Sequence, residues 1–334
     1  MTETPQNLQC RLAARPVGEP KPSDWEFTTE PAGEPAEGQL LVRNRYLSLD
    51  PAMRGWMNAG KSYIPPVELG EVMRAGAVGE VVSSLHDGFR AGELVQGNFG
   101  VQEYAVSDGR GVVAVEGDDP THYLGVLGIG GLTAYFGLFD VGRPEPGQTV
   151  VVSGAAGAVG SIAGQLAKIH GCRVVGVAGG PDKCRMVVEE FGFDACIDYR
   201  ADDVPRRLRE LAPDGVDVFF DNVGGPILEA VLGRLARGAR VAICGAISQY
   251  NATELRGPRN YMQLLVTRSS MAGFVVFDYA KRYPEAREKL AGWLGAGRLT
   301  VRETVVDGGI HDFPATLNQL FTGANTGKLI LALS

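Results

Sequence analysis

Three glycines spaced three apart, Gly154, Gly157 and Gly160, follow a β-branched run at residues 149–152. They precede a small and apolar stretch, 161–169, which Gly171 closes. Strand, tight turn and helix in that order make a βα unit whose helix start can hold an anion. Glycine suits the turn because a backbone without Cβ atoms bends sharply and lets a phosphate come close. The helix start then offers unpaired N–H groups and about half a positive charge. The spacing is G-x-x-G-x-x-G rather than G-x-G-x-x-G, and glycine triplets also serve plain turns. A second β-branched run at 173–177 follows and completes the context of a nucleotide site. The expectation is nucleotide binding centred on Gly157, Ala158, Val159 and Gly160.

In NAD sites an acid at the end of the second strand holds the ribose 2′-hydroxyl. Here that strand ends Val177-Ala178-Gly179-Gly180, and Lys183 follows on the first turn of the next helix. A lysine ammonium suits a 2′-phosphate; the plain alternative is a solvated helix residue. Asn222 ends the fourth strand, where parallel strands open onto a ligand crevice; helix capping is its plain alternative. Residues 245–250 end the fifth strand on the same edge. Phe274, Val275 and Val276 lie in the sixth-strand region, as an apolar face for a ligand or as core.

The elements that must position these residues fit 334 residues folded as two domains. With 45% hydrophobic and 21% charged residues the composition is that of an ordinary globular protein. A net charge of −7 argues against nucleic acid or an anionic membrane as the main partner. No apolar run approaches the roughly 18 residues of a membrane span, and residues 1–11 lack the core of a signal peptide. The 5 Cys are odd in number and form no C-x-x-C pair, and the 4 His lack ligand spacing. A cytoplasmic, reduced setting without a zinc site is expected.

Residues 1–37, rich in Pro, Gly and Glu, predict a loop-laden arm, and 40–49 alternate as a strand. Short glycine-broken runs over 70–106 predict a small β-barrel or sandwich, and 124–140 a helix. Strands at 149–153, 173–177, 195–198, 216–220, 240–244 and 271–277 then alternate with helices. Pro226 stands at one helix start, with Gly238 after its end. That alternation predicts an α/β fold, a parallel sheet with helices on both faces. A further helix is expected at 285–294, and β and loop signals over 300–334. Residues 329–333 are too apolar for a free end, so the tail is expected to complete the first domain. The predicted division is 1–123 with 300–334, and 124–299.

Five segments occur in a familiar order: Tyr46-Leu-Ser-Leu-Asp-Pro-Ala-Met-Arg54, Leu69-Gly-Glu-Val-Met73, Ala155-Ala-Gly-Ala-Val-Gly160, Asp221-Asn-Val-Gly-Gly225 and Cys244-Gly-Ala-Ile-Ser-Gln-Tyr250. On these the chain resembles, over nearly its full length, the zinc-independent medium-chain dehydrogenases/reductases. Within them it is similar to the prostaglandin reductase and leukotriene hydroxydehydrogenase group, with its bacterial curcumin and 2-alkenal reductases. The resemblance implies a GroES-like β-barrel catalytic domain, a doubly wound Rossmann domain binding NADPH, and a homodimer. It implies reduction of the C=C bond of small-molecule enones and enals, with hydride delivered to the β-carbon. Lys183 and Tyr199 would hold the 2′-phosphate. Asn222, Cys244, Gly245, Ala246, Ile247, Ser248, Tyr250, Phe274, Val275, Val276 and Asn325 would touch the cofactor; for Asn325 a turn residue is the plain alternative.

Negative charge develops on the carbonyl oxygen in such a reduction, and a donor aimed there lowers the barrier by about 3 kcal/mol. The cofactor's ribose 2′-hydroxyl is one donor. Tyr250 can orient it or donate itself, and Tyr63, in Lys61-Ser-Tyr-Ile-Pro65, is another. A phenol with a pKa of about 10 keeps its proton at pH 7. One departure stands out: many relatives carry Tyr where this chain has Ala52, which puts their substrate range in doubt here. Arg54 fits an anionic substrate or a structural ion pair. Two alternatives stay open, an NADPH-dependent quinone oxidoreductase and a non-catalytic NADPH-binding protein.

Overall fold

The computed structural model describes residues 4–254 and 256–334. The first elements in chain order are β1 (Gln6–Leu12), β2 (Trp25–Pro31), β3 (Leu40–Leu49), α1 (Ala52–Trp56), β4 (Ala77–Ser84), β5 (Leu94–Gly97), β6 (Tyr104–Ser107) and β7 (Val113–Ala114). Then come α2 (Ile129–Phe136), β8 (Thr149–Ser153), α3 (Ala158–Ile169), β9 (Arg173–Ala178), α4 (Pro181–Glu189), β10 (Ala195–Asp198), α5 (Val204–Leu211), β11 (Val216–Asp221) and α6 (Gly225–Leu232). The chain continues through β12 (Leu235–Ile243), α7 (Gln263–Thr267), β13 (Ser270–Gly273), α8 (Tyr283–Gly295), β14 (Glu303–Gly308), α9 (Phe313–Thr322) and β15 (Lys328–Leu333). Two compact units result, one running to Leu124 and joined by Glu303–Ser334, the other Gly125–Arg302.

The second unit is a Rossmann fold. Its six strands lie in the order β10-β9-β8-β11-β12-β13, every neighbouring pair parallel. The chain starts at the centre with β8, walks outward to β10, then crosses back to β11. The reversal between β8 and β11 is the switch point where such sheets bind ligands. Val151, Val175 and Phe219 of the sheet form one core with Leu208 of α5 and Ile227 and Val231 of α6. A Cβ on Gly164 would lie 1.8 Å from the Phe193 ring, so this glycine lets α3 pack close beside it.

The first unit is GroES-like. Its sheet runs β14-β15-β3-β4-β5-β7, with β6 also on β3. β3 is the hub, antiparallel to β15, β4 and β6. Its buried Leu40, Val42, Leu47 and Leu49 join Met53, Met73, Phe99, Phe313, Leu329 and Leu331 in one core.

Several local expectations are corrected. The N-terminal arm is not loop: β1 and β2 pair as a seven-residue antiparallel ribbon, bridged through Gln9 to Gln102 and through Arg11 to Val72. The helix expected over 124–140 begins only at Ile129, after extended Gly128 and a separate 3-10 turn at Pro120–Tyr123 capped by Asp119; it ends in a π-helical turn, Gly137–Gly142. Gly238 does not follow a helix end. It lies inside β12 at φ +77°, where β12 bulges between its pairings with Val216 and Val218. The tail holds α9, where β and loop were expected. Phe313, Thr316, Leu317 and Leu320 bury its inner face at helical spacing, and Gly323 at φ +67° ends it.

Candidate functional site

β8 delivers the chain to the glycine turn. Gly154 takes φ +61°, and Gly157, in extended conformation, is the residue before α3. α3 begins at Ala158, three residues earlier than the sequence pattern suggests, so Ala158, Val159 and Gly160 form its first turn. A Cβ on Gly160 would lie 2.2 Å from the Gly154 carbonyl oxygen, so only glycine lets the turn close onto the helix. The result is a glycine-lined helix start at the carboxyl edge of the parallel sheet.

β9 ends at Ala178, and Gly179 and Gly180 lead into α4. Lys183 is half-buried on its first turn. Burial lowers its ammonium below the ordinary lysine range, and the nearby Arg200 guanidinium lowers it further. Tyr199 follows β10; a Cβ on Gly179 would meet its hydroxyl at 2.8 Å, so the phenol lies against the β9–α4 turn. The Arg200 guanidinium stands 6.0 Å from the centre of the same ring. Lys183 and Tyr199 are thus brought together, and Arg200 joins them unforeseen. Asp198 was also missed. It is an acid near the end of β9, but its Oδ1 accepts the N–H groups of Gly180 at 2.8 Å and Arg200 at 3.0 Å. The signal for both lay in β10, whose end must sit beside that of β9 in a parallel sheet.

At the switch point the buried Asp221 is a hub. Its carboxylate accepts the Ser153 hydroxyl at 2.7 Å and the N–H groups of Val223 and Gly224 at 3.0 Å, and burial raises its pKa. Asn222 donates its backbone N–H to Ser153 Oγ at 2.8 Å and its amide to the Ser153 carbonyl at 2.7 Å. It ties two strand ends together rather than capping a helix. The loop after β12 is laced to this one: Cys244 and Gly245 donate to the Asp221 carbonyl, Ile247 to that of Asn222, and Ser248 to that of Val223. Burial and the Asp221 charge push the Cys244 thiol up to about 12. Tyr250 folds back over this loop, and its hydroxyl accepts the Ala246 N–H at 3.2 Å. A Cβ on Gly245 would come within 2.8 Å of that hydroxyl.

β13 stops at Gly273, short of the strand expected to reach 277, so Phe274, Val275 and Val276 follow its end. The Phe274 ring packs 6.2 Å from that of Phe220 and against Gly137. In the first unit, the exposed Tyr63 accepts the indole N–H of Trp56 at 3.1 Å, and Arg74 lies 5.6 Å from the Trp56 ring. Trp56 was not foreseen as a support. Asn325 donates to the Gly327 carbonyl at 3.2 Å. Ala52 opens α1, half-buried. Arg54 is buried and donates to the carbonyls of Pro16 and Gly18 and to Asn58 Oδ1, which makes it a structural residue.

The description "N-terminal domain of oxidoreductase" fits residues 8–115, and "Zinc-binding dehydrogenase" fits residues 158–292. The NADPH-dependent curcumin reductase of Escherichia coli is 42% identical, covering 98% of this chain and 97% of its own. The chain belongs to the medium-chain dehydrogenase/reductase family. Another member, the NADP(+)-dependent 2-alkenal reductase of Nicotiana tabacum, is 37% identical over 100% of this chain and 99% of its own. The crystal structure of CurA from Vibrio vulnificus in complex with NADPH superposes with a TM-score of 0.93 at 43% identity, covering 98% of this chain and 99% of that one. One of the two family descriptions names zinc. Among the described residues no group of three or more His, Cys, Asp or Glu side chains is placed to hold a metal ion.

Proposed function

We propose that the chain is an NADPH-dependent, zinc-independent reductase of the C=C bond of α,β-unsaturated ketones and aldehydes. The observation that carries this is the cationic corner of Lys183 and Arg200 beside Tyr199, in the unit that also holds the glycine-lined helix start. The helix start fits a pyrophosphate, and the corner fits the extra phosphate that separates NADPH from NADH. Full-length likeness to curcumin and 2-alkenal reductases supports the substrate class.

When bound, NADPH supplies the hydride that reduces the β-carbon of the enone. The chain's own part is to bind, orient and stabilise charge. The first turn of α3 (Gly157, Ala158, Val159, Gly160) presents N–H groups to the pyrophosphate. Asn222 and the backbone of Cys244, Gly245, Ala246, Ile247 and Ser248 form the wall beyond the switch point, made rigid by Asp221. Tyr250 accepts the Ala246 N–H at its hydroxyl oxygen and is the donor proposed for the substrate oxygen. Aimed where charge develops on the substrate oxygen, it contributes about 3 kcal/mol. Tyr63 accepts the Trp56 indole N–H and is the donor proposed from the first unit. Phe274, Val275, Val276 and Asn325 are proposed cofactor contacts. The Phe274 ring already packs on Phe220, so its contribution would come from the backbone. Residues 1–123 with 300–334 would be the catalytic domain, and 124–299 the NADP-binding domain. A cytoplasmic homodimer completes the reading.

The test follows NADPH consumption with enones, enals and quinones, with and without a chelator, and assigns products by NMR. The expected result is a saturated carbonyl product and indifference to chelation. Quinone turnover with enones untouched overturns the substrate class, and binding without turnover overturns the enzyme. Loss on chelation, restored by zinc, overturns metal independence.

A further inference from the structure

Two cysteines stand outside the chemistry so far described. Cys184 lies on the first turns of α4, directly after Lys183, and Cys196 lies on β10, three residues before Tyr199. Their sulfur atoms are 2.9 Å apart and both residues are partly exposed. A disulfide needs about 2.05 Å, so closure requires less than about 1 Å of approach between two adjoining elements. The other three cysteines differ: Cys10 and Cys172 are buried, and Cys244 is held by the loop at Asp221.

We propose that Cys184 and Cys196 are a reversible dithiol site, closed to a disulfide by hydroperoxides, and that closure weakens the grip on NADPH at the neighbouring 2′-phosphate corner. The geometry favours Cys184 as the attacking sulfur. The Cys196 S–H donates to it, which lowers the Cys184 pKa and holds Cys196 protonated. Burial, Asp198 and Asp202 oppose that lowering but do not outweigh it. The Cys184 thiolate attacks a peroxide oxygen, the O–O bond breaks, and a sulfenic acid forms as an alcohol or water leaves. The Cys196 sulfur, giving up its proton, then attacks Cys184; the S–S bond forms, the S–O bond breaks, and water leaves. Two thiols lose two electrons and the hydroperoxide gains them.

The coupling follows from what each sulfur is attached to. Lys183 is joined to one cysteine and the Asp198–Arg200 segment to the other. Asp198 already ties the two sides through the N–H of Gly180. Drawing the sulfurs together narrows the corner in which the 2′-phosphate would sit. NADH, which has no such phosphate, is indifferent. This coupling rests on the proposed cofactor reading.

The experiment treats the reduced full-length chain with hydrogen peroxide, blocks remaining thiols, and maps peptides by mass spectrometry. A cross-linked Cys184–Cys196 pair, lighter by two hydrogen atoms and restored by dithiothreitol, is expected. NADPH affinity, read by cofactor fluorescence, should fall about tenfold on oxidation, with NADH unchanged. Cys184→Ser and Cys196→Ala should each lose that response while keeping the fold by circular dichroism. Cysteine oxidation without this cross-link overturns the site. A cross-link with unaltered NADPH affinity overturns the coupling. Lys183→Ala in the reduced chain separates the two readings: if it leaves NADPH affinity intact, the cofactor assignment fails and the coupling with it, while peptide mapping still decides the thiol pair.

Discussion

Tyr250 and Lys183 make different claims on the same ligand. Tyr250→Phe keeps the ring and removes the hydroxyl that the Ala246 N–H reaches. If that hydroxyl acts mainly in the transition state, kcat falls while NADPH affinity holds. Steady-state kinetics with one good enone checks this, and unchanged kcat reduces Tyr250 to packing. Lys183→Ala should weaken NADPH by about 1.5–3 kcal/mol, as for a hydrogen bond to a charged group, and leave NADH nearly unchanged. Its pH dependence has a definite sign. Burial and Arg200 lower the Lys183 pKa, so the ammonium is lost below the ordinary value of about 10.4. NADPH affinity should therefore decline as pH rises through that lowered pKa, with NADH flat and the decline reduced in Lys183→Ala. Isothermal titration of both cofactors across alkaline pH reads the difference. The place of Lys183, on the first turn of a helix after an acid-free strand, was legible because that is a local pattern. Arg200, Asp198 and Cys196 were not, since their nearness to α4 depends on how β10 sits beside β9.

At the scale of elements, two glycines in helices should respond oppositely to the same change. A Cβ on Gly160 meets the Gly154 carbonyl oxygen at 2.2 Å and its carbon at 2.8 Å, both backbone atoms. Gly160→Ala should cost about 1–3 kcal/mol and weaken cofactor binding, because the turn must shift. Gly292, inside α8, has nothing within 4 Å of its would-be Cβ. Gly292→Ala should gain about 0.4–1 kcal/mol through helix propensity and a less flexible unfolded chain. Melting curves of the two variants decide it; equal shifts of one sign would sink the backbone argument. β8 was readable to the residue, because a β-branched run bounded by glycine allows one interpretation. α9 was not. Its apolar residues also alternate with turn-forming ones, and only the first unit's core decides for the helical period. Gly238 looked like a helix stop because a glycine after a helix usually is one, whereas the bulge arises from register with β11.

For the whole molecule, β13 is an edge strand of the second unit's sheet among the described residues. All four residues of β13 are exposed, and Leu265 and Val266 on α7 are 69% and 60% accessible. An unpaired strand edge beside apolar side chains is a template for a second chain. This supports the proposed homodimer. Leu265→Glu should shift the chain toward monomer in light scattering, with its melting behaviour in the monomeric range kept. A monomeric parent, or a variant still dimeric at the same concentration, removes this face as the interface. The return of the chain to its first unit has a different consequence, one of timing. β15 lies between β14 and the hub strand β3, yet both β14 and β15 are encoded after the whole of the second unit. On a ribosome the Rossmann unit can close while still being made, but the unit begun first waits with β3 lacking a neighbour. Until translation passes residue 333 that strand edge is open to any passing chain. Chaperone demand and sensitivity to premature termination should therefore concentrate in the part of the first unit that precedes the second.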